Sequence, residues 1–163
     1  MTPAVRLLEQ HGVPFGLHEY DRGDEARDFG REAAAELGLD EDEVFKTLLV
    51  DVAGGRSSGD PVVAVVPVSC SVSMKAVAGS VGAKRATMCD PAQASRLTGY
   101  VVGGISPLGQ RRRLITVVDE TATLFDRIYV SGGRRGLDVS LRPTDLVALL
   151  GAIVADIAVL RGS

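Results

Sequence analysis

Cysteine and histidine are scarce in this chain. Among its 163 residues only Cys70, Cys89, His11 and His18 offer sulfur or imidazole ligands, and none stands in a paired spacing. A zinc or Cys/His cluster needs ligands in closely spaced sets, so the sequence predicts no metal, and two isolated cysteines predict no disulfide. Protein-based nucleophilic catalysis is poorly served as well. A reactive thiolate needs a base or positive charge beside it, whereas Cys70 stands in "PVSCSVSMK", without a general base, and reads as a small core residue. No G-x-S-x-G is present, so a serine-hydrolase elbow is missing. No run approaches the roughly 18 uninterrupted apolar residues of a membrane helix, and "MTPAVRLLEQ" is polar within its first turn, unlike a secretory signal. The expectation is a cytoplasmic protein with no membrane partner and no cofactor. Repeats, low-complexity tracts and linkers are also missing, so residues 1–163 read as one domain.

What is present is a globular composition, 45% hydrophobic and 24% charged, with an uneven charge distribution. Residues 1–60 carry 14 acidic and 6 basic side chains, and residues 61–163 carry 7 and 12, so a net charge of −3 conceals a basic second part. The basic groups cluster at Lys84-Arg85, Arg111-Arg112-Arg113 and Arg134-Arg135. A local positive face attracts a phosphate backbone whatever the total charge; scattered solvated arginines are the alternative.

Thr2 before Pro3 predicts a helix start, because proline loses nothing at the first helical position, with Val5 and Leu8 on one face and Gly12 as the stop. "PFGLHEY" alternates, predicting a strand with Phe15 and Leu17 on one side, His18 and Tyr20 on the other, and one face buried. His18 reads as a surface histidine on that strand. "REAAAELG" predicts a short helix, and Asp40 with Glu43 in "DEDE" has the capping-box spacing of a further helix start. Lys46 then opens "KTLLVDV", a strand answered by "PVVAVVPV" across the turn "GGRSSGD". "SVSMKAVAGSVG" and "DPAQASRLTG" read as capped short helices. From Tyr100 onward the expected strands are "YVV", "LITVVD", "RIYVSG" and "LDVSL", the last two joined by "GGRRG", before a final helix "PTDLVALLG". Strands and helices interleave without a strict βαβ repeat. The fold class is therefore α/β, a single domain with a mixed, largely antiparallel sheet or closed barrel and helices packed outside.

Two stretches carry chemistry. Lys46, at the mouth of an apolar strand, holds its ammonium at the sheet rim, where it either binds a phosphate or ribose oxygen or merely snorkels to water. In "YVVGGISPLGQRRRL", Gly103 and Gly104 leave backbone N–H groups unobstructed, an arrangement that stabilises an oxyanion or seats a phosphate, and three arginines follow within a few residues.

The segments "MTPAVRLLEQHGVPFGLHEY", "LGLDEDEVFKTLLV", "GAKRATMCDP", "TGYVVGGISPLGQRRRL" and "IYVSGGRRGLDVSL" together resemble the YbaK/EbsC-type trans-editing aminoacyl-tRNA deacylases, relatives of the editing domain of bacterial prolyl-tRNA synthetase. The resemblance covers nearly the whole chain and is strongest to the Cys-tRNA(Pro) deacylases. It implies a single α/β domain around a barrel-like sheet and hydrolysis of the ester between a wrong amino acid and the 3′-terminal ribose. Lys46 matches the family's site lysine, expected to hold the terminal adenosine's phosphate or ribose. Tyr20 and Phe29 match pocket positions, Gly103 and Gly104 the glycine loop that polarises the ester carbonyl, and Ser131 and Asp138 polar positions near the substrate, Asp138 as partner of its α-ammonium. Arg111, Arg112, Arg113, Arg134 and Arg135 are the expected tRNA contacts. The implied mechanism uses the substrate's own thiol, which attacks the ester while the protein positions it. Implied partners are the tRNA(Pro) acceptor end and prolyl-tRNA synthetase, with the chain a monomer or dimer. Alternatives that stay open are a deacylase for Ala- or Ser-charged tRNA and a non-catalytic tRNA- or synthetase-binding module.

Overall fold

Val62 to Val66 form an apolar run with no polar break, and the strand they make is buried on both faces, the place such a run fits. In the computed structural model, which describes residues 1–21 and 29–161, this strand is β3 (Val62–Pro67). It pairs antiparallel with β2 (Phe45–Ala53) and parallel with β6 (Thr116–Asp119). Two outer strands, β5 (Arg85–Met88) and β9 (Ile153–Ala155), complete a five-stranded sheet in the order β5-β2-β3-β6-β9. Leu49, Val63, Val65 and Val118 face one core layer, and Val50, Ala64, Val66 and Val117 face another.

A second sheet supplies the other wall of the first core layer. Its order is β1 (Gly16–Glu19), β8 (Leu137–Leu141), β7 (Ile128–Arg134), all antiparallel. Ile128, Val130, Val139 and Leu141 point into the core with Ala4, Val5 and Leu8 of α1 (Pro3–Gln10). The alternate side chains, Tyr129, Ser131, Asp138 and Ser140, therefore lie on the opposite, polar face. The two sheets meet where Val44 bridges Tyr129 and the Tyr129 N–H donates to Glu43 O at 3.0 Å. A third, two-stranded sheet pairs β4 (Cys70–Val72) with β10 (Ala158–Leu160). Helices α2 (Phe29–Leu37), α3 (Met74–Ser80), α4 (Pro91–Thr98) and α5 (Pro143–Leu150) lie between the strands in sequence. Thr2, Ser73 and Asp90 cap α1, α3 and α4 through their side chains, as the local sequence predicts.

Five expectations need correction. The strands form three sheets rather than a closed barrel. "DEDE" makes one turn and no helix: the Asp42 N–H donates to Asp40 Oδ1 at 2.9 Å and the Glu43 N–H to Asp40 O at 3.0 Å, and the chain enters β2 at once. "YVV" is not a strand. Tyr100 is buried with its hydroxyl donating to Leu108 O at 2.7 Å, while Val101 is 60% exposed in a turn closed by the Gly104 N–H on Val101 O. In β1 the inner face is that of His18, not Leu17, which is 53% exposed. His18 is half-buried, its Nε2 2.8 Å from Ser140 Oγ and its ring 5.0 Å from that of Tyr129, so it is not a surface histidine. Finally, β4, β5, β9 and β10 are three or four residues long, too short to leave a periodic signature.

The C-terminal strands are held by Asp119, which is fully buried at the end of β6. One oxygen accepts the N–H groups of Ile157 and Ala158 at 2.9 and 3.0 Å, and the other accepts the Thr121 N–H and hydroxyl. Replacing it orphans buried donors. Asp119→Ala is expected to lower the unfolding free energy by about 3 kcal/mol, measured as a lower urea midpoint at unchanged slope; an unchanged midpoint would contradict the assignment.

Candidate active site

Lys46 stands one residue into β2, close to where the sheets join, and that position decides its surroundings. A cavity of about 320 Å³ opens there. Phe45, Lys46 and Thr47 of β2, Phe29 and Ala33 of α2, and Val102 and Gly103 of the glycine loop line it. Ser131 on β7 and Asp138 on β8 reach it from the polar face of the second sheet, with Tyr20 just beyond β1. The structure thus gathers six sequence-predicted residues, Lys46, Gly103, Tyr20, Phe29, Ser131 and Asp138, into one cavity.

Gly104 stands apart, because it does not line the cavity. Its Cα lies so close to the β7–β8 turn that a Cβ would meet the Arg134 and Arg135 backbone at 2.8 Å, and its N–H is donated to Val101 O. Gly103 is the residue that faces the site. Its φ of +90° suits glycine alone, and a Cβ would come within 2.6 Å of the Phe29 ring. The two glycines therefore divide the work, one packing the loop down and one leaving the site open.

The five arginines are also sorted. Arg111 and Arg112 donate their N–H groups to Thr98 and Leu97 O, capping the end of α4, and Arg112 pairs with Asp60 at 2.8 Å. Arg134 pairs with Glu19 at 3.0 Å. The Arg135 guanidinium lies 4.5 Å from the centroid of the Phe29 ring. None of the five lines the cavity, although Arg112 and Arg113 line a separate groove with His11 and Gln110.

Electrostatics distinguish Asp138. It is 4% exposed, and burial pushes its carboxyl up to about 7. Burial and the Arg127 charge lower the pKa of His18, which faces Asp138 across the β1–β8 ladder. The thiols are far less suited to chemistry. Cys70 and Cys89 are buried, neither lines the cavity, and burial with the nearby Asp51 and Asp90 carboxylates pushes the Cys89 thiol up to about 11. Among the described residues no histidine or cysteine lines the cavity, leaving hydroxyls, an ammonium, a guanidinium, a carboxyl and backbone N–H groups.

A model of the aminoacyl-tRNA editing domain matches residues 24–149. A protein of Enterococcus faecalis, EbsC, named as a candidate Cys-tRNA(Pro)/Cys-tRNA(Cys) deacylase, is 34% identical over 157 residues, covering 96% of this chain and 92% of its own. This chain belongs to the aminoacyl-tRNA editing domain family. The crystal structure of APE2540, a protein without assigned function, superposes with TM-score 0.82 at 27% identity, covering 96% of this chain and 99% of its own. Another, described as a candidate trans-editing enzyme for prolyl-tRNA synthetase, shares the fold with TM-score 0.81 at 23% identity, covering 98% and 99%.

Two polar residues of the cavity, Thr47 and Arg161, are not anticipated by the sequence. Thr47 Oγ1 is buried without a hydrogen-bond partner, a polar group waiting beside Lys46. Its place after Lys46 in "FKTLL" was the available signal. Arg161 also lines the cavity, and nothing in the local sequence connects it to residue 46.

Asp138 gives a pH prediction. An unfolded aspartate titrates near 3.8, so between about 4 and 7 the unfolded chain loses a proton that the folded chain keeps, and stability falls with rising pH. Asp138→Asn removes this slope. It is expected to be more stable than the parent at pH 8 by roughly 2–4 kcal/mol, with the difference gone below pH 4, as read by urea titrations across pH; parallel curves would refute the assignment.

Proposed function

We propose that this chain is a free-standing hydrolase that removes mischarged cysteine from Cys-tRNA(Pro). The observation that carries the reading is a small cavity that unites Lys46, Gly103, Ser131 and Asp138 and has no cysteine or histidine in its lining among the described residues. Such a site binds and polarises an ester but offers no protein thiol or imidazole to attack it. Lys46 takes a ribose or phosphate oxygen of the terminal adenosine. Asp138 pairs with the α-ammonium; that cation favours the charged carboxylate and draws its titration back down on binding. The Gly103 N–H, with no backbone acceptor among the described residues, faces the ester carbonyl.

The nucleophile is then the cysteine side chain of the substrate. Its sulfur attacks its own carbonyl, the S–C bond forms as the C–O bond to ribose breaks, and the thiol proton ends on the ribose oxygen. Water opens the resulting thiolactone to free cysteine. Alanine fits the cavity but lacks the thiol, so discrimination is chemical as well as steric. A pocket alone separates near-isosteres by only about 1–3 kcal/mol, which is why a second sieve is useful after a synthetase has mistaken cysteine for proline.

Single-turnover deacylation of Cys-tRNA(Pro), with Ala-tRNA(Pro) and Pro-tRNA(Pro) in parallel, tests the reading. The parent is expected to release cysteine alone, Lys46→Ala to lose about a hundredfold in rate, and the Cys70→Ala/Cys89→Ala variant to match the parent. A large loss in the cysteine variant would exclude the substrate-thiol mechanism. Release of alanine would make the protein an Ala-tRNA deacylase, and tRNA binding without hydrolysis would make it a binding module.

Arg111 to Arg113 are the proposed contacts to acceptor-stem phosphates, while Arg135 is engaged on Phe29 and Val102 O beside the site. The exposed Arg112–Asp60 pair is a weak competitor for phosphate. Replacing all three by alanine is expected to reduce the slope of log K against log salt by about two to three, with the single-turnover rate at saturation retained. A slope equal to the parent's removes these residues from the interface.

A further inference from the structure

Arg135 touches the cavity from behind in two places at once. Its guanidinium lies over the Phe29 ring, and its Nε donates to Val102 O at 2.9 Å. Both partners line the cavity. The second contact matters for the neighbouring residue, because Val102 C=O and Gly103 N–H are opposite ends of one peptide group. In a planar trans peptide they point in opposite directions, so an anchor on the oxygen sets where the N–H points. A charge-assisted bond to the oxygen also polarises the amide and strengthens its N–H as a donor. Gly103, at φ +90°, leaves this peptide few steric constraints of its own, and Phe29 supplies the remaining wall.

We propose that Arg135 is a positioning residue that fixes and polarises the Val102–Gly103 peptide, and so aims the Gly103 N–H at the substrate ester, rather than a ligand of tRNA phosphate. The aim rests on the proposed deacylase activity; the clasp itself rests on geometry alone. The planar group is essential to the arrangement. The guanidinium lies over Phe29 while its Nε donates to Val102 O, whereas an ammonium has no extended planar group with which to do both.

Arg135→Lys keeps the charge and removes the plane, which separates the two roles. Amide hydrogen exchange of Gly104, whose N–H is donated to Val101 O in the same loop, is the first readout by NMR, with exchange expected to rise about tenfold in Arg135→Lys; a parental exchange rate would overturn the clasp. The second is single-turnover deacylation at saturating enzyme, expected to fall about tenfold while the half-saturation point and its salt dependence match the parent. A parental rate in Arg135→Lys, with weaker binding and a shallower salt slope only in Arg135→Ala, would make the residue a phosphate ligand and overturn the proposal. Should Arg135→Ala not fold, Arg135→Lys alone decides, because loss of rate at unchanged binding is not what a phosphate ligand gives. A parent chain that does not deacylate would sink the proposed function, and the exchange measurement would still decide the clasp.

Discussion

The join between the two larger sheets governs everything the cavity contains. Val44, 1% exposed, bridges Tyr129, and the Tyr129 N–H closes on Glu43 O. Backbone hydrogen bonds buried in this way are expensive to leave unmade, so the relative height of β2 and β7 is fixed to one register. Lys46 follows Val44 by two residues and Ser131 follows Tyr129 by two, so the parallel bridge carries both to the same cavity. A one-residue slip would turn Ser131 into the core and Val130 onto the polar face. The site is therefore a consequence of sheet register before it is one of side-chain chemistry.

Around that register the structure sets hydrophobic and polar faces back to back. Strands β7 and β8 each present valine, isoleucine or leucine to the core and serine, tyrosine or aspartate to the other side. The polar face is itself sheltered, and this is why Asp138 carries a raised pKa without a neighbouring carboxylate to blame. A buried carboxyl in a cavity is poorly solvated, which is what holds its proton. Thr47 adds a buried hydroxyl with no hydrogen-bond partner among the described residues, a polar group that a bound ligand or water could satisfy.

The glycine loop shows how little chemistry and how much geometry the site requires. Gly104 is small so that the loop can lie on the β7–β8 turn, and Gly103 is small so that Phe29 can close the cavity. Arg135 links the turn, the loop and α2 through one planar group. With no described cysteine or histidine in its lining, the cavity offers a ligand placement by backbone and side-chain geometry.

Much of this was legible in sequence, for identifiable reasons. Helix caps at Thr2, Ser73 and Asp90 and the strands "TVVD", "IYVSGG" and "LDVSL" are local, and local chemistry fixed them. Lys46, Gly103, Tyr20, Phe29, Ser131 and Asp138 were found because their motifs are distinctive, not because composition or periodicity places them together. Other features lay outside local reach. "YVV" has strand propensity but is taken up in a turn closed by the Gly104 N–H on Val101 O, and Leu17 is exposed on the edge strand β1, whose His18 side is sheltered against Asp138 and Ser140. The sequence by itself determined the elements, the caps, the scarcity of nucleophiles and the residue types available to an ester. Only the tertiary structure decided which of two glycines lines the cavity, which arginine contacts the glycine loop, and that Thr47 and Arg161 belong to the cavity. The reason is physical: those outcomes depend on contacts between segments from 26 to more than 100 residues apart, set by sheet register and close packing that no local pattern encodes.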